Sequence, residues 1–197
     1  MNLMSLGTLI PLTMDSVRAP RETFQRLRGL DLPQEVLWQA LILVVAVSVI
    51  LAEITSMVLL ASPNMPSDAS RLASPLTFGL FQIGLLVLTV YLIAWVGRGM
   101  GGRGEFRDGI LIVAWLQFVM LCLQVVQALV ILILPGVAGL VVIAGLVVFL
   151  WLLTAFVTEA HGFDSMGKVL GMILFVLMGV ALGLSFILTL SGATVTS

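Results

Sequence analysis

The most distinctive polar stretch of the chain is a loop rich in glycine and arginine, GRGMGGRGEFRD, at residues 97–108. Gly97, Gly99 and Gly102 have the G-x-G-x-x-G spacing, which binds a pyrophosphate when it joins a strand to a helix. Here an apolar run of helical length precedes the loop, so we reject a dinucleotide site and expect no cofactor. Two alternatives stay open. The loop is either a flexible turn with its arginines at a lipid surface, or a surface that recognises a phosphorylated headgroup or an acidic patch.

The residues most often used in catalysis are sparse. His161 is the only histidine and follows Glu159 by two residues, but H-E-x-x-H and a second histidine are both missing, so zinc chemistry is unsupported. Cys122 is the only cysteine and lies in an apolar run, which is typical of a small buried hydrophobe. We therefore predict no catalytic or metal-binding residue and a protein that is not an enzyme.

A few polar side chains interrupt the apolar runs. Glu53 is the one acid well inside such a run, where a charge costs on the order of 3 kcal/mol at the bilayer centre. Gln117, Gln124 and Gln127 are spaced by seven and three residues, which puts them on one helix face. We interpret the glutamines as groups that join helices, with Gln82 as a partner, and the alternative is a polar cavity. Glu53 and the three glutamines of this face form a candidate intramembrane polar site.

The composition decides what surrounds these residues. With its 19 glycines counted as apolar, roughly 70% of the 197 residues are apolar, against about 45–50% in a soluble domain. Only 10% are charged, where about 25% is usual. The chain is therefore predicted to be an all-α, polytopic integral membrane protein.

The gaps between charges count the spans. Residues 72–97 and 109–158 are uncharged, and a helix needs about 20 apolar residues to cross the hydrocarbon core. The 50-residue gap suits two helices with a break at Pro135-Gly136. We predict five transmembrane helices, at residues 36–61, 76–97, 110–134, 137–159 and 169–190.

The distribution of cations predicts the orientation. Eight of the nine, which are Arg18, Arg21, Arg26, Arg28, Arg98, Arg103, Arg107 and Lys168, fall on one side of a five-span protein. Arg71 alone falls on the other side. Because Lys and Arg are retained in the cytoplasm, we expect a cytoplasmic N-terminus and a non-cytoplasmic tail at 191–197. The net charge of −1 argues against a nucleic acid partner.

The first 35 residues are predicted to be a retained cytoplasmic segment that contains an interfacial amphipathic helix at 16–30. Pro20 suits a first helical turn, and Phe24 can share a face with Val17 and Leu27. Anchoring to lipid and docking of a protein partner both remain open. The candidate residues for binding anionic lipid headgroups or a membrane-protein partner are Arg18, Arg21, Phe24, Arg98, Arg103, Phe106 and Arg107.

The last span carries a row of small residues. Gly167, Gly171, Gly179 and Gly183 lie on one i+4 row and form G-x-x-x-G twice, which favours close helix packing. The row can pack inside the chain, for example against the small residues Ser48, Ala52 and Ser56, or it can join two copies in a homo-oligomer. The sequence leaves both alternatives open.

Three features together resemble the Yip1 domain family in its bacterial branch. They are Pro20 shortly before Phe24, a Gly-Gly-x-Gly-x-Phe loop at 101–106, and a Glu-x-His-Gly loop at 159–162. The resemblance implies a five-span domain, here 36–190, and a cytoplasmic N-terminus. Eukaryotic relatives act in vesicle traffic with prenylated GTPases. This chain has Ala19-Pro20 where they carry Asp-Leu-Tyr-Gly-Pro, so that role is not carried over.

The leading functional hypothesis is a non-enzymatic scaffold or adaptor in the bacterial inner membrane, which binds lipid or protein through its cytoplasmic face. The alternative is a small transporter or channel that uses Glu53 and the face of Gln117, Gln124 and Gln127.

Overall fold

The computed structural model describes residues 6–60 and 74–190, which are helical apart from short connections. Seven α-helices follow one another along these residues. They are α1 (Leu6–Arg18), α2 (Pro20–Arg28), α3 (Gln34–Leu60), α4 (Pro75–Gly99), α5 (Phe106–Ile133), α6 (Ala138–His161) and α7 (Met166–Leu190). The predicted tail at 191–197 and Arg71 lie outside the described residues.

Five of these helices, α3 to α7, are long and apolar enough to cross a membrane, which confirms the predicted fold class and the number of spans. At 1.5 Å per residue, the 28 residues of α5 extend about 42 Å, which exceeds a hydrocarbon core of about 30 Å. The helices are thus long enough to reach past the core and build structure outside it.

Local signals set the helix ends. Ser74 caps α4 by accepting the backbone N–H of Thr77, and Pro75 follows at the first helical position. A short 3₁₀ turn, Pro135–Val137, separates α5 from α6 at the predicted break. Gly162 ends α6 in the left-handed conformation, with φ of 68°, which glycine adopts without steric cost.

The helix α5 is the centre of the bundle and packs against α3, α4 and α6, whereas α7 packs against α6. Residues 108–116 of α5 and 152–158 of α6 are buried on all sides. This continuous core lies at one end of the bundle, where α2, the α4–α5 loop and the α6–α7 loop meet. We call it the arginine-rich end, because the eight cations on one side of the predicted topology lie here or beside it.

The N-terminal segment differs from the prediction. A single helix over 16–30 was expected, but the chain forms α1 and α2, which are separated at Ala19 (φ −137°, ψ 65°). The break follows from Pro20, because a proline ring disfavours helical backbone at the residue before it. The helix α2 packs against α6, and α1 packs against α2.

Candidate functional site

The helix α2 closes the arginine-rich end. Its buried face consists of Pro20, Thr23, Phe24 and Leu27. Phe24 is 1% exposed, and its ring centre lies 5.6 Å from that of Phe156 on α6. Beside it, Gln25 Nε2 donates to Glu159 Oε1 at 2.7 Å. The apolar face of α2 is thus covered by protein rather than lipid. The prediction that Phe24 belongs to a binding surface is therefore wrong.

A buried carboxylate holds α2 to the start of α5. The side chain of Asp108 is 4% exposed, and its Oδ1 lies 3.0 Å from Nε of Arg28. Its Oδ2 accepts the backbone N–H of Glu105 at 3.0 Å, as part of a capping box at the α5 N-terminus. A buried charge is stable only when it is paired and hydrogen-bonded, and Asp108 is both. Sequence reasoning missed this residue, although the Glu105-to-Asp108 spacing is a capping signal.

His161 lies at the centre of the loops at the arginine-rich end. It is 2% exposed, stacks on Phe163 at 5.6 Å, and places Nδ1 3.1 Å from the carbonyl oxygen of Val157. A Cβ added at Gly97, Gly102 or Gly104 would come within 2.8 Å or less of the His161 side chain. The three glycines are therefore a cradle, and any side chain there would displace the imidazole.

Backbone hydrogen bonds hold this glycine cradle closed. Gly102 N–H donates to Gly97 O at 2.9 Å, and Arg103 N–H donates to His161 O at 3.1 Å. The loop is thus a turn wrapped around His161 rather than the flexible turn that its composition indicated. Within the described residues, Nε2 of His161 is buried and has no hydrogen-bond partner.

The cations of the arginine-rich end divide into two groups. Those of the first group form ion pairs with acids of the same chain. Arg107 Nε donates to Leu32 O at 2.8 Å, and its guanidinium pairs with Asp31. Arg26 pairs with Asp15 at 3.8 Å and with Glu22 at 4.0 Å. Phe106, another predicted contact residue, is half-buried, with its ring 5.1 Å from Tyr91.

The second group is exposed. Arg18, Arg21, Arg98 and Arg103 reach the surface and form no ion pair with any described residue. Lys168 is exposed in the same way. Arg98 is oriented by its Nε, which donates to Ala94 O at 2.9 Å. We call these four arginines the free arginines.

Inside the membrane-spanning part, the glutamine face of α5 meets α3. Gln124 Nε2 donates to Ser48 O at 2.9 Å, and Gln117 Nε2 lies 3.5 Å from Ser48 Oγ. The partner of this face is therefore Ser48 rather than Gln82. Gln127 is half-buried beyond these contacts. Glu53 lies half-buried on α3, five residues after Ser48. These hydrogen bonds join helices, as the packing interpretation expects.

The glycine row of α7 does not pack against any other helix among the described residues. A Cβ at Gly171, Gly179 or Gly183 would meet no atom within 4 Å, and one at Gly167 would meet only Ser165 Oγ at 3.9 Å. The row faces outward because α7 packs on α6 rather than on the small residues of α3. Packing of this row inside the described part of the chain is therefore wrong, and a contact between copies stays a prediction.

These features define a five-span, all-helical membrane protein with its core at the arginine-rich end. The chain belongs to the Yip1 family, since a model of the Yip1 domain matches residues 14–187. No similar curated protein and no similar solved structure was found. The two loop motifs that carried the resemblance, at 101–106 and 159–162, are the segments that meet at His161.

Proposed function

We propose that this protein is a non-enzymatic scaffold of the bacterial inner membrane, which binds anionic lipid headgroups through its arginine-rich end. The observation that carries the proposal is the separation of the cations. Arg26, Arg28 and Arg107 are paired with acids of the same chain, while the free arginines Arg18, Arg21, Arg98 and Arg103 are exposed and unpaired among the described residues.

The attraction is local rather than a field of the whole surface. Eight acids lie on the same side of the predicted topology as the eight cations, so this side has no net charge. Asp15, Asp31 and Asp108 are paired with Arg26, Arg107 and Arg28, which leaves the free arginines as the local source of attraction. The free arginines are close in sequence in two pairs. Arg18 and Arg21 lie where α1 meets α2, and Arg98 and Arg103 lie at the glycine cradle. Each Lys or Arg near an anionic lipid surface contributes about 1 kcal/mol to binding. Each pair is therefore expected to attract anionic headgroups.

The proposal places this end in the cytoplasm. The retention of Lys and Arg on the cytoplasmic side supports that orientation, because eight of nine cations lie on this side of the predicted topology. It also supports binding to the cytoplasmic leaflet, whose anionic lipids attract such residues.

The test is the lipid content of the protein purified in a mild detergent, measured by native mass spectrometry. Changing Arg18, Arg21, Arg98 and Arg103 to Gln should remove the enrichment of anionic over zwitterionic lipid. Changing the same four to Lys should retain it, because the charge is kept. Each arginine lost should lower the affinity for anionic nanodiscs about fivefold at low salt.

The control is Arg26→Gln, which removes an exposed arginine already paired with Asp15 and Glu22 and should leave the bound lipid unchanged. Equal enrichment in the four-Gln variant and the native protein would reject lipid binding by these residues. A protein partner lost together with the four arginines, with the lipids unchanged, would reassign the same surface to protein docking.

A further inference from the structure

The helix α1 carries apolar side chains on its outer face as well as on its inner face, where Leu9 and Leu12 pack against the core. Its outward stripe is apolar, with Ile10 61%, Met14 57% and Val17 40% exposed at spacings of four and three residues. Its inward face includes the hydroxyl residues Thr13 and Ser16, and Ser16 is 0% exposed. A helix on a water-exposed surface shows the opposite arrangement, with its polar residues outward.

The inward hydroxyls are satisfied without water. Ser16 Oγ donates to Leu12 O at 2.8 Å and accepts the indole N–H of Trp115 at 2.9 Å. Thr13 Oγ1 donates to Leu9 O at 3.0 Å. Hydrocarbon imposes this requirement, because no solvent there replaces a missing hydrogen-bond partner.

Two contacts with α5 fix the depth of α1. Ser16 lies at Trp115, about 14 Å along α5 from Phe106, and Thr13 lies beside Cys122, about 24 Å along it. Cys122 is in turn about 17 Å from Ile133 at the other end of α5, which is near the middle of a hydrocarbon core of about 30 Å. The helix α1 therefore runs antiparallel to α5 and begins deep in the bundle.

Length and charge agree with this depth. The 13 residues of α1 extend about 20 Å, too short to cross the core. Residues 1–14 carry no charge, and the first charged residues, Asp15 and Arg18, come at the end of α1 nearest α2. Asp15 is paired with Arg26 of α2.

We infer that α1 is a membrane-inserted helix that runs from the arginine-rich end to beyond the middle of the hydrocarbon core without crossing it, with Ile10, Met14 and Val17 in contact with lipid acyl chains. The occupant is lipid because the stripe continues, at the same depth, the apolar outer surface of the five spans. The free arginine Arg18 then ends α1 at the headgroup level. This inference does not depend on the proposed binding of anionic headgroups.

The first experiment uses a cysteine-free background, which Cys122→Ser provides because Cys122 is the only cysteine. A nitroxide on Ile10→Cys in liposomes should be relaxed by oxygen and not by a water-soluble nickel chelate. Leu43→Cys on the outer face of α3, 64% exposed, is the lipid control, and Arg18→Cys is the control for water access. Relaxation by the nickel chelate would place α1 in water, and relaxation by neither reagent would show that protein covers the stripe. Both results overturn the inference.

A second experiment tests the docking itself. With native Cys122 present, Thr13→Cys should form a disulfide under mild oxidation, so that both thiols resist maleimide labelling after denaturation until a reductant is added. Thr23→Cys, on α2, should leave both thiols reactive. A folded Thr13→Cys protein whose thiols remain free would contradict the position of α1 along α5.

Discussion

The imidazole of His161 fills the space in which a side chain at Gly97 would have to lie. His161 ends α6 and Gly97 belongs to the last turn of α4. The contact therefore joins two helices through residues that are 64 positions apart in sequence. The ring also fills the space beside Gly102 and Gly104, so with histidine at position 161 a side chain at any of the three glycines would overlap it. The two motifs form one packing unit.

Gly97→Ala should therefore destabilise the protein. The new Cβ would overlap the His161 ring, and overpacking of this kind costs about 1–3 kcal/mol. The measurement is the thermal unfolding midpoint in detergent, which should fall by several degrees. Gly99→Ala is the matched control, because a Cβ there meets nothing within 4 Å and should leave the midpoint unchanged or slightly raised.

A double variant shows whether the ring is the cause. His161→Ala alone should destabilise by leaving a cavity. Adding Gly97→Ala to His161→Ala should cost much less than it does in the native protein, because the atoms that clash are gone. Strict additivity of the two changes would contradict the cradle.

The sequence predicted the spans well because bilayer thickness and the cost of intramembrane charge act on local composition. The five predicted spans differ from α3 to α7 by only a few residues at each end, and the break at Pro135 is where it was expected. Gln117 and Gln124 also meet another helix, where their amides find hydrogen-bond partners at Ser48.

The rest depends on which helices become neighbours, and local patterns do not encode that. The glycines at 97, 102 and 104 indicated flexibility because their partner, His161, lies far along the chain. Phe24 was predicted to contact lipid or a partner, because the sequence does not show that Phe156 covers it. The glycine row of α7 left packing inside the chain and contact between copies both open, and α7 packs on α6 through a face other than this row. Arg28 and Arg107 have the sequence pattern of unpaired surface cations, but the fold brings Asp108 and Asp31 next to them.

The ion pair between Arg28 and Asp108 should matter more than an exposed pair of similar geometry. Arg28→Gln leaves the carboxylate of Asp108 buried without its cation, which should destabilise by about 1–3 kcal/mol. Arg26→Gln breaks pairs whose partners are both exposed and should change stability by less than about 1 kcal/mol. Thermal unfolding of the two variants provides the comparison. Equal effects would show that the burial of Asp108 has no energetic consequence.

The glutamine face should contribute to helix packing rather than to transport. Gln124→Leu removes the hydrogen bond to Ser48 O and should cost about 0.6–2 kcal/mol. Gln127→Leu is the matched control, because no hydrogen bond to a described residue is lost there. Unfolding midpoints compare the variants. A solute flux in proteoliposomes that disappeared in Glu53→Gln and Gln124→Leu, with stability unchanged, would favour the transporter instead.

The orientation of the bundle is the remaining prediction, and the cations decide it. With eight Lys and Arg on one side and Arg71 on the other, the arginine-rich end should face the cytoplasm and the tail should lie outside. Alkaline phosphatase fused after residue 197 should be active, because it folds only outside the cytoplasm, while green fluorescent protein at the same place should be dark. A fusion in the α6–α7 loop, near Lys168, should give the opposite pair of signals. Fluorescence from the C-terminal fusion would invert the topology, and the free arginines would then lie away from the cytoplasmic leaflet that the proposal names.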